Sequence, residues 1–300
     1  DNWYSLIKIT CAPGRYYVKV SAYYDTIIIS DYTIELTTPP PPLYQSAFLR
    51  TKAYGLAPSA GGWSSQDRYP RLSGDVDGDG DDDIVGFGES AVIVALAENG
   101  TFQERTVWLQ RSLCPATGWY SYDRYPRFLG DVDNDGDDDI VGFGSQKVFV
   151  ALSNGSGFDP QQIWLQGSFC HIKGWSSQDT YPRQLADVNG DGRADIIGFG
   201  HRSVYVALAN TMGNGFEPQQ VWLRHRFSHA SGWSGQSRYP RLLADVDGDG
   251  ADDIVGFGDR AVSVSRSTGA SFGEREIWLW DSFCQLTGWS SQELYPRLLG

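Results

Sequence analysis

Asp75-Val-Asp-Gly-Asp-Gly-Asp-Asp-Asp83-Ile-Val-Gly-Phe-Gly88 is an acidic loop that runs straight into a short apolar segment. The same stretch returns at Asp131-Val-Asp-Asn-Asp-Gly, Asp187-Val-Asn-Gly-Asp-Gly and Asp245-Val-Asp-Gly-Asp-Gly, at intervals of 56, 56 and 58 residues. A fixed period of this length marks supersecondary units that bury their apolar faces on their neighbours. Each period reads as four short strands. A segment such as Tyr239-Pro-Arg-Leu-Leu-Ala leads into the loop, and Asp-Ile-Val-Gly-Phe-Gly leaves it, as at Asp253 to Gly258. The third strand alternates, as in Val148-Phe-Val-Ala-Leu, and the fourth carries Trp108, Trp164, Trp222 or Trp278. Asn99-Gly100, Asn154-Gly155 and Asn214-Gly215 supply turn signals between the last two. The expected fold is all-β: a β-propeller of four-stranded blades, four complete and a fifth begun at Tyr295-Pro-Arg-Leu-Leu-Gly300.

Composition agrees with strands and tight turns, since 35 Gly accompany 11 Trp, 16 Tyr and 14 Phe but only one Met. The repeats occupy residues 46–300. Residues 1–36 alternate like half-buried strands in Trp3-Tyr-Ser-Leu-Ile-Lys-Ile-Thr, Arg15-Tyr-Tyr-Val-Lys-Val and Tyr32-Thr-Ile-Glu-Leu-Thr, and read as a small β-sandwich-like segment. A Pro-rich linker over 37–45, containing Pro39 to Pro42, separates the two as a stiff spacer. No apolar run approaches the ~20 residues that span a bilayer. The start at Asp1 reads as a mature or excised segment. Cys114, Cys170 and Cys284 each stand four residues before a Gly, in equivalent places of different repeats, and are expected to be small buried residues rather than partners of each other. A bond from Cys11 to one of them stays open.

The net charge is −13, and twenty of the 37 acidic side chains lie in the four loops. The acidity is therefore a property of the loops, and a nucleic-acid role is excluded by it. Divalent cations in all four would bring the chain to an ordinary surface charge. A hard cation takes six to eight oxygens, and Asp at loop positions one, three, five and nine, with Gly at six, presents them from one tight turn. The expected ligands are Asp75, Asp77, Asp79 and Asp83; Asp131, Asp133, Asp135 and Asp139; Asp187, Asn189, Asp191 and Asp195; Asp245, Asp247, Asp249 and Asp253. Position seven varies as Asp81, Asp137, Arg193 and Ala251, so its backbone carbonyl is the expected donor. An EF-hand is excluded because position twelve is Gly86, Gly142, Gly198 or Gly256, inside a strand. About four Ca²⁺ ions are expected; Mg²⁺ dehydrates too reluctantly for such cages.

The loop followed by Ile-Val-Gly-Phe-Gly resembles the FG-GAP/VCBS repeat family of calcium-binding propellers. The repeat running from Gly232-Trp-Ser through Tyr239-Pro-Arg-Leu-Leu-Ala-Asp to Gly256-Phe-Gly is also similar to blades of Psathyrella velutina-type fungal lectins. Four full blades depart from the seven of that type. The N-terminal stretch, Asp1-Asn-Trp-Tyr-Ser and Ser30-Asp-Tyr-Thr-Ile-Glu-Leu, resembles a bacterial pre-peptidase C-terminal domain without its middle strands.

Gly-Trp segments at Trp63, Trp119, Trp175, Trp233 and Trp289 lead to Tyr-Pro-Arg at Arg71, Arg127, Arg183, Arg241 and Arg297, in the connection from one blade to the next. An aromatic plane beside hydroxyl, amide and guanidinium donors suits a sugar; equally, each Trp fills the core between blades while each Arg holds a neighbouring carboxylate. Catalysis is not expected. His171, His201, His225 and His229 do not recur in register, and no nucleophile elbow, phosphate loop or zinc-helix motif is present. Asn99-Gly-Thr and Asn154-Gly-Ser match the N-glycosylation pattern and are equally hairpin turns. Two readings follow for an extracellular or cell-surface protein. One is a structural or adhesive module that assembles by strand addition, as a surface-layer or fibre subunit; the other is a lectin that takes glycans between adjacent blades.

Overall fold

The computed structural model describes residues 63–299. The segments at 1–36 and 37–45, the strand-like Ala47-Phe-Leu-Arg50 and Cys11 lie outside the described residues. Four antiparallel four-stranded sheets follow one another. The first joins Arg71–Gly74, Asp83–Phe87, Ala91–Ala95 and Thr106–Gln110. The second joins Arg127–Gly130, Asp139–Phe143, Lys147–Ala151 and Gln162–Gln166. The third joins Arg183–Ala186, Asp195–Phe199, Ser203–Ala207 and Gln220–Arg224. The fourth joins Arg241–Ala244, Asp253–Phe257, Ala261–Ser265 and Glu276–Trp280. Within each, strands pair in chain order. The fifth expected strand is not seen: Pro296–Leu299 make no ladder among the described residues.

Burial explains the strand sequences. The second strand is central and covered on both faces, so Asp-Ile-Val-Gly-Phe is apolar without alternation, whereas Lys147–Ala151 alternates. The glycine of that second strand is required by a close approach. A Cβ on Gly86 or Gly256 would lie 2.5 Å from the Trp63 or Trp233 ring, and one on Gly142 would lie 2.7 Å from Trp119. The indoles of Trp63, Trp119, Trp175 and Trp233 thus lie on a strand that has no side chain beneath them. Opposite these glycines in the ladder stand Arg71, Arg127, Arg183 and Arg241.

Identical seams hold consecutive sheets together. The fourth strand bulges against the third, skipping Trp108, Trp164, Trp222 and Trp278, and the bulge aims the indole at the next sheet. Trp108 meets Phe158, Trp164 meets Phe216 and Trp222 meets Phe272 edge-on, each at 5.4 Å. Backbone N–H groups cross the same seams: Phe158 to Trp108 at 3.3 Å, and Asp138 to Asp75, Ala194 to Asp131 and Asp252 to Asp187 at 2.6–2.7 Å.

The arginines of Tyr-Pro-Arg also belong to the seams, and not in the way their charge suggests. Arg127, Arg183 and Arg241 are wholly buried and hold no carboxylate. Each guanidinium lies over the Phe of the preceding sheet, Arg127 on Phe87 at 5.0 Å, Arg183 on Phe143 at 5.5 Å and Arg241 on Phe199 at 5.3 Å. Its donors go to backbone carbonyls of Leu113, Phe169 and Phe227 at 3.1–3.3 Å. A glutamine five residues earlier accepts from Nε, as Gln178 does for Arg183 and Gln236 for Arg241, both at 3.1 Å. Tyr122 replaces that glutamine in the second repeat, and Nε and Nη2 of Arg127 are left without partners. A buried donor stripped of its partner costs about 1–3 kcal/mol. Gln236→Leu is therefore expected to lower stability by about that amount in urea unfolding, and Tyr122→Gln to recover part of it for Arg127. An unmoved midpoint for Gln236→Leu would show that the amide contributes nothing.

Candidate functional site

The acidic loops join the first strand of each sheet to the second, and their carboxylates have distinct tasks. The first Asp folds the loop: Asp75 accepts from Gly78 and Gly80 at 2.8 Å, and Asp131, Asp187 and Asp245 repeat the pattern. The fifth turns back on its own turn, with Asp79, Asp135, Asp191 and Asp249 accepting from the backbone N–H of Asp81, Asp137, Arg193 and Ala251 at 2.9–3.0 Å. The ninth is fully buried and pins loop to sheet. Asp83 accepts from Val76 at 3.1 Å and from Ala97 at 2.7 Å, and Asp139, Asp195 and Asp253 make the equivalent pair of bonds.

Three loops gather carboxylates tightly enough to hold an ion. One oxygen each from Asp75, Asp77 and Asp83, from Asp131, Asp133 and Asp139, and from Asp245, Asp247 and Asp253 lie within 4.8 Å of one another. The fit to a cation shows in what is unsatisfied. Asp77 Oδ1 and Asp133 Oδ1 are buried acceptors with no hydrogen-bond donor. Burial, and next the neighbouring Asp135 and Asp131, push the Asp133 carboxyl up to about 6. Burial raises Asp83 to about 6 and Asp139 to about 8. Asp138, facing the first loop across the seam, is raised to about 6 by burial and then by Asp131, Asp75 and Asp82. Apposed carboxylates in a partly dry place call for a positive charge.

The third loop differs from the other three in its side-chain contacts. Asn189 stands at position three and donates to Asp191 at 3.0 Å, while the Arg193 guanidinium, itself largely buried, pairs with the same carboxylate at 2.5 Å. The Arg193 side chain thus brings a positive charge onto a carboxylate of this loop. Arg193 was expected to offer only a carbonyl, and the sequence alone does not say that its side chain folds back.

Trp119, Trp175 and Trp233 are 5–7% exposed and pack in the cores, whereas Trp63 and Trp289 are half-buried. Trp233 also borders a cavity of about 300 Å³. A chain of contacts not anticipated from the sequence runs along the connections. Asp67 accepts from Ser121 and Asp123, Asp123 from Ser177 and Gln178, and Asp179 from Ser237, at 2.7–3.0 Å. The Asp four residues after Trp63, Trp119 and Trp175 is the signal that marks it, with Ser237 and Glu293 at that place after Trp233 and Trp289. His201 and His229 approach to 5.5 Å, and His225 lies in the left-handed region after the third sheet's last strand. Cys114, Cys170 and Cys284 are buried thiols. Among the described residues no helix is long and apolar enough to cross a membrane.

Residues 131–198, from the second loop to the strand glycine of the third sheet, match the FG-GAP-like repeat family. Among solved structures, an Agrocybe aegerita lectin described by its specific recognition of non-reducing terminal N-acetylglucosamine is similar to this chain, with 36% identity and a TM-score of 0.68 over 75% of this chain and 55% of the lectin. The Photorhabdus luminescens Tc holotoxin pore shares 15% identity at a TM-score of 0.38, over 71% of this chain and 12% of that one. The V. cholerae biofilm matrix protein Bap1 shares 16% at 0.29, over 71% and 30%. No curated protein sequence matches. The chain spans about half the length of the lectin to which it is similar.

Proposed function

We propose that the chain is a non-catalytic, calcium-stabilised glycan-binding module that acts outside the cell, its four sheets being consecutive blades of a propeller. The likeness to the N-acetylglucosamine-recognising lectin carries this reading, because 36% identity holds over three quarters of the chain at a TM-score of 0.68. The repeated seams support the propeller, since each sheet receives the next through the same Trp, Phe and Arg contacts. Extracellular calcium is abundant enough for weak surface sites of this loop type.

Calcium in the first, second and fourth loops would neutralise carboxylates that otherwise repel, and the ligands are Asp75, Asp77 and Asp83 with their counterparts. The expected stoichiometry is three, the third loop being served by Arg193. A ligand held only by the folded state at a hundred times its Kd adds about 2.7 kcal/mol per site. EDTA is expected to lower the melting temperature and Ca²⁺ to restore it, with three ions by calorimetry. A melt indifferent to EDTA would remove calcium from the account.

For the glycan, the calcium-loaded chain is expected to bind glycans with non-reducing terminal N-acetylglucosamine on an array. Failure to bind any glycan while folded would overturn the lectin reading.

A further inference from the structure

The chain has four histidines, and the fold brings two that are distant in sequence side by side. His201 lies on the hairpin between the second and third strands of the third sheet, and His229 begins the short 3-10 turn His229–Ser231 through which the chain leaves that sheet. Backbone bonds clamp the two segments together. The His229 N–H donates to the Gly200 carbonyl at 3.2 Å, and the Ala230 N–H donates to the His201 carbonyl at 2.8 Å. The imidazoles are thereby held with ring centroids 5.5 Å apart and planes 30° from parallel. His201 is exposed, and His229 is half-buried with Tyr181 at 5.6 Å on its other side. Among the described residues no hydrogen bond engages a ring nitrogen of either imidazole.

The other repeats show what this place holds when it is only structural. Where the third repeat has His201, the first and fourth have Glu89 and Asp259, which accept from the Tyr69 and Tyr239 hydroxyls at 2.7 and 2.8 Å. Where it has His229, they have Pro115 and Gln285. The second repeat has one imidazole, His171, with Tyr125 at 5.9 Å and Ser145 in the place of His201. Only the third repeat carries two, and the carboxylate that would engage the tyrosine is gone from it. Arg202, next along the hairpin, is exposed, so water screens its charge, and the chain as a whole carries −13.

We propose that His201 and His229 chelate a transition-metal ion that prefers imidazole, Zn²⁺ or Cu²⁺. An ion bound about 2.0–2.1 Å from a ring nitrogen lies about 3.2 Å from the ring centroid, so two imidazoles on one tetrahedral ion have centroids about 5.2 Å apart. The observed 5.5 Å is close to that separation, and exposed His201 can turn its ring to aim a nitrogen at the ion. The clamped backbone has already fixed both side-chain origins, so binding orders little that was loose. This ion does not compete for the acidic loops, whose oxygen donors suit a hard cation, while imidazole nitrogen suits the softer one. Two protein ligands leave the other coordination positions to water or to a donor from outside the chain, and no reaction is assigned to them.

The test is titration of the full chain, in excess calcium that keeps the acidic loops occupied, with ZnCl₂ and separately with CuCl₂, read by calorimetry. One ion per chain is expected, with Cu²⁺ the tighter of the two. In the unmutated chain the imidazole NMR signals of His201 and His229 are expected to move together as Zn²⁺ is added, and those of His171 to stay. His201→Ser and His229→Gln install residues that the second and fourth repeats carry at these places, so both suit the fold. Each turns a chelate into a single ligand and is expected to weaken binding about a hundredfold. His171→Gln is expected to leave it unchanged. Absence of a one-to-one site, a site undiminished in either His201→Ser or His229→Gln, or Zn²⁺-induced shifts that spare His201 and His229 would overturn the proposal and leave the pair as a ring contact.

Discussion

A guanidinium laid on a phenylalanine of the preceding sheet is the contact on which the rest of this architecture depends. Arg183 over Phe143 and Arg241 over Phe199 are wholly dry, and a charge in that position is tolerable only because its donors reach a glutamine and backbone carbonyls. Burial pulls both guanidiniums down to about 9, which still leaves them charged at neutral pH. The carbonyls they hold, Phe169 and Phe227, belong to residues in the left-handed region, with φ of 51° and 48°. A bulky side chain in that conformation is strained, so the arginine also fixes the turn by which the chain leaves one sheet for the next. Seam and crossover are thus one structure.

Much of this is legible in the sequence because repetition supplies its own control. The four loops, the Phe-Gly strand and the bulged Trp recur in register, and every described copy became the expected strand or turn. Partners across the seam were not legible, because they lie about one period away and nothing local marks them. Arg127, Arg183 and Arg241 look like surface cations until Phe87, Phe143 and Phe199 are placed beneath them. Arg193 is the converse case: its charge among three aspartates, Asp187, Asp191 and Asp195, was in plain view, but whether the side chain folds onto Asp191 depends on rotamers that a sequence does not express. The expected fifth strand shows a third limit, since the motif Tyr295-Pro-Arg is present and Arg297 finds Gln292 and Phe257, while the ladder itself requires a partner strand.

The division of labour between repeats follows from the same geometry. Positions at a seam touch two sheets, so a change there must be absorbed twice, and apart from Tyr122 in the glutamine's place the described repeats keep the Trp, Phe and Arg contacts alike. Positions on the hairpin between second and third strands touch only their own sheet and the Gly-Trp connection. There Ile93, Phe149, Tyr205 and Ser263 coexist without altering register, the pairings Ile93↔Val107, Phe149↔Ile163, Tyr205↔Val221 and Ser263↔Ile277 being equivalent. A fold of this kind can vary its surface one repeat at a time.

Metal and cavity occupy opposite ends of the same strand. Asp253 opens the second strand of the fourth sheet at the loop, and Gly258, just beyond its last residue, borders the cavity. Five residues of strand set them roughly 15 Å apart, too far for one cation to touch both the Asp253 carboxylate and a ligand in the cavity. On the proposed reading, a cation at Asp245, Asp247 and Asp253 would bear on ligand binding through the stability of the sheet. The ninth aspartate makes that route direct. Asp253 accepts from Val246 in the loop and from Ser267 after the third strand, so neutralising it holds the first three strands at one end while their other end carries the hairpin. Saturating sugar and saturating calcium should then reinforce one another only to the extent that each stabilises the same sheet, a coupling that is reciprocal by linkage and small where the sheet is already folded.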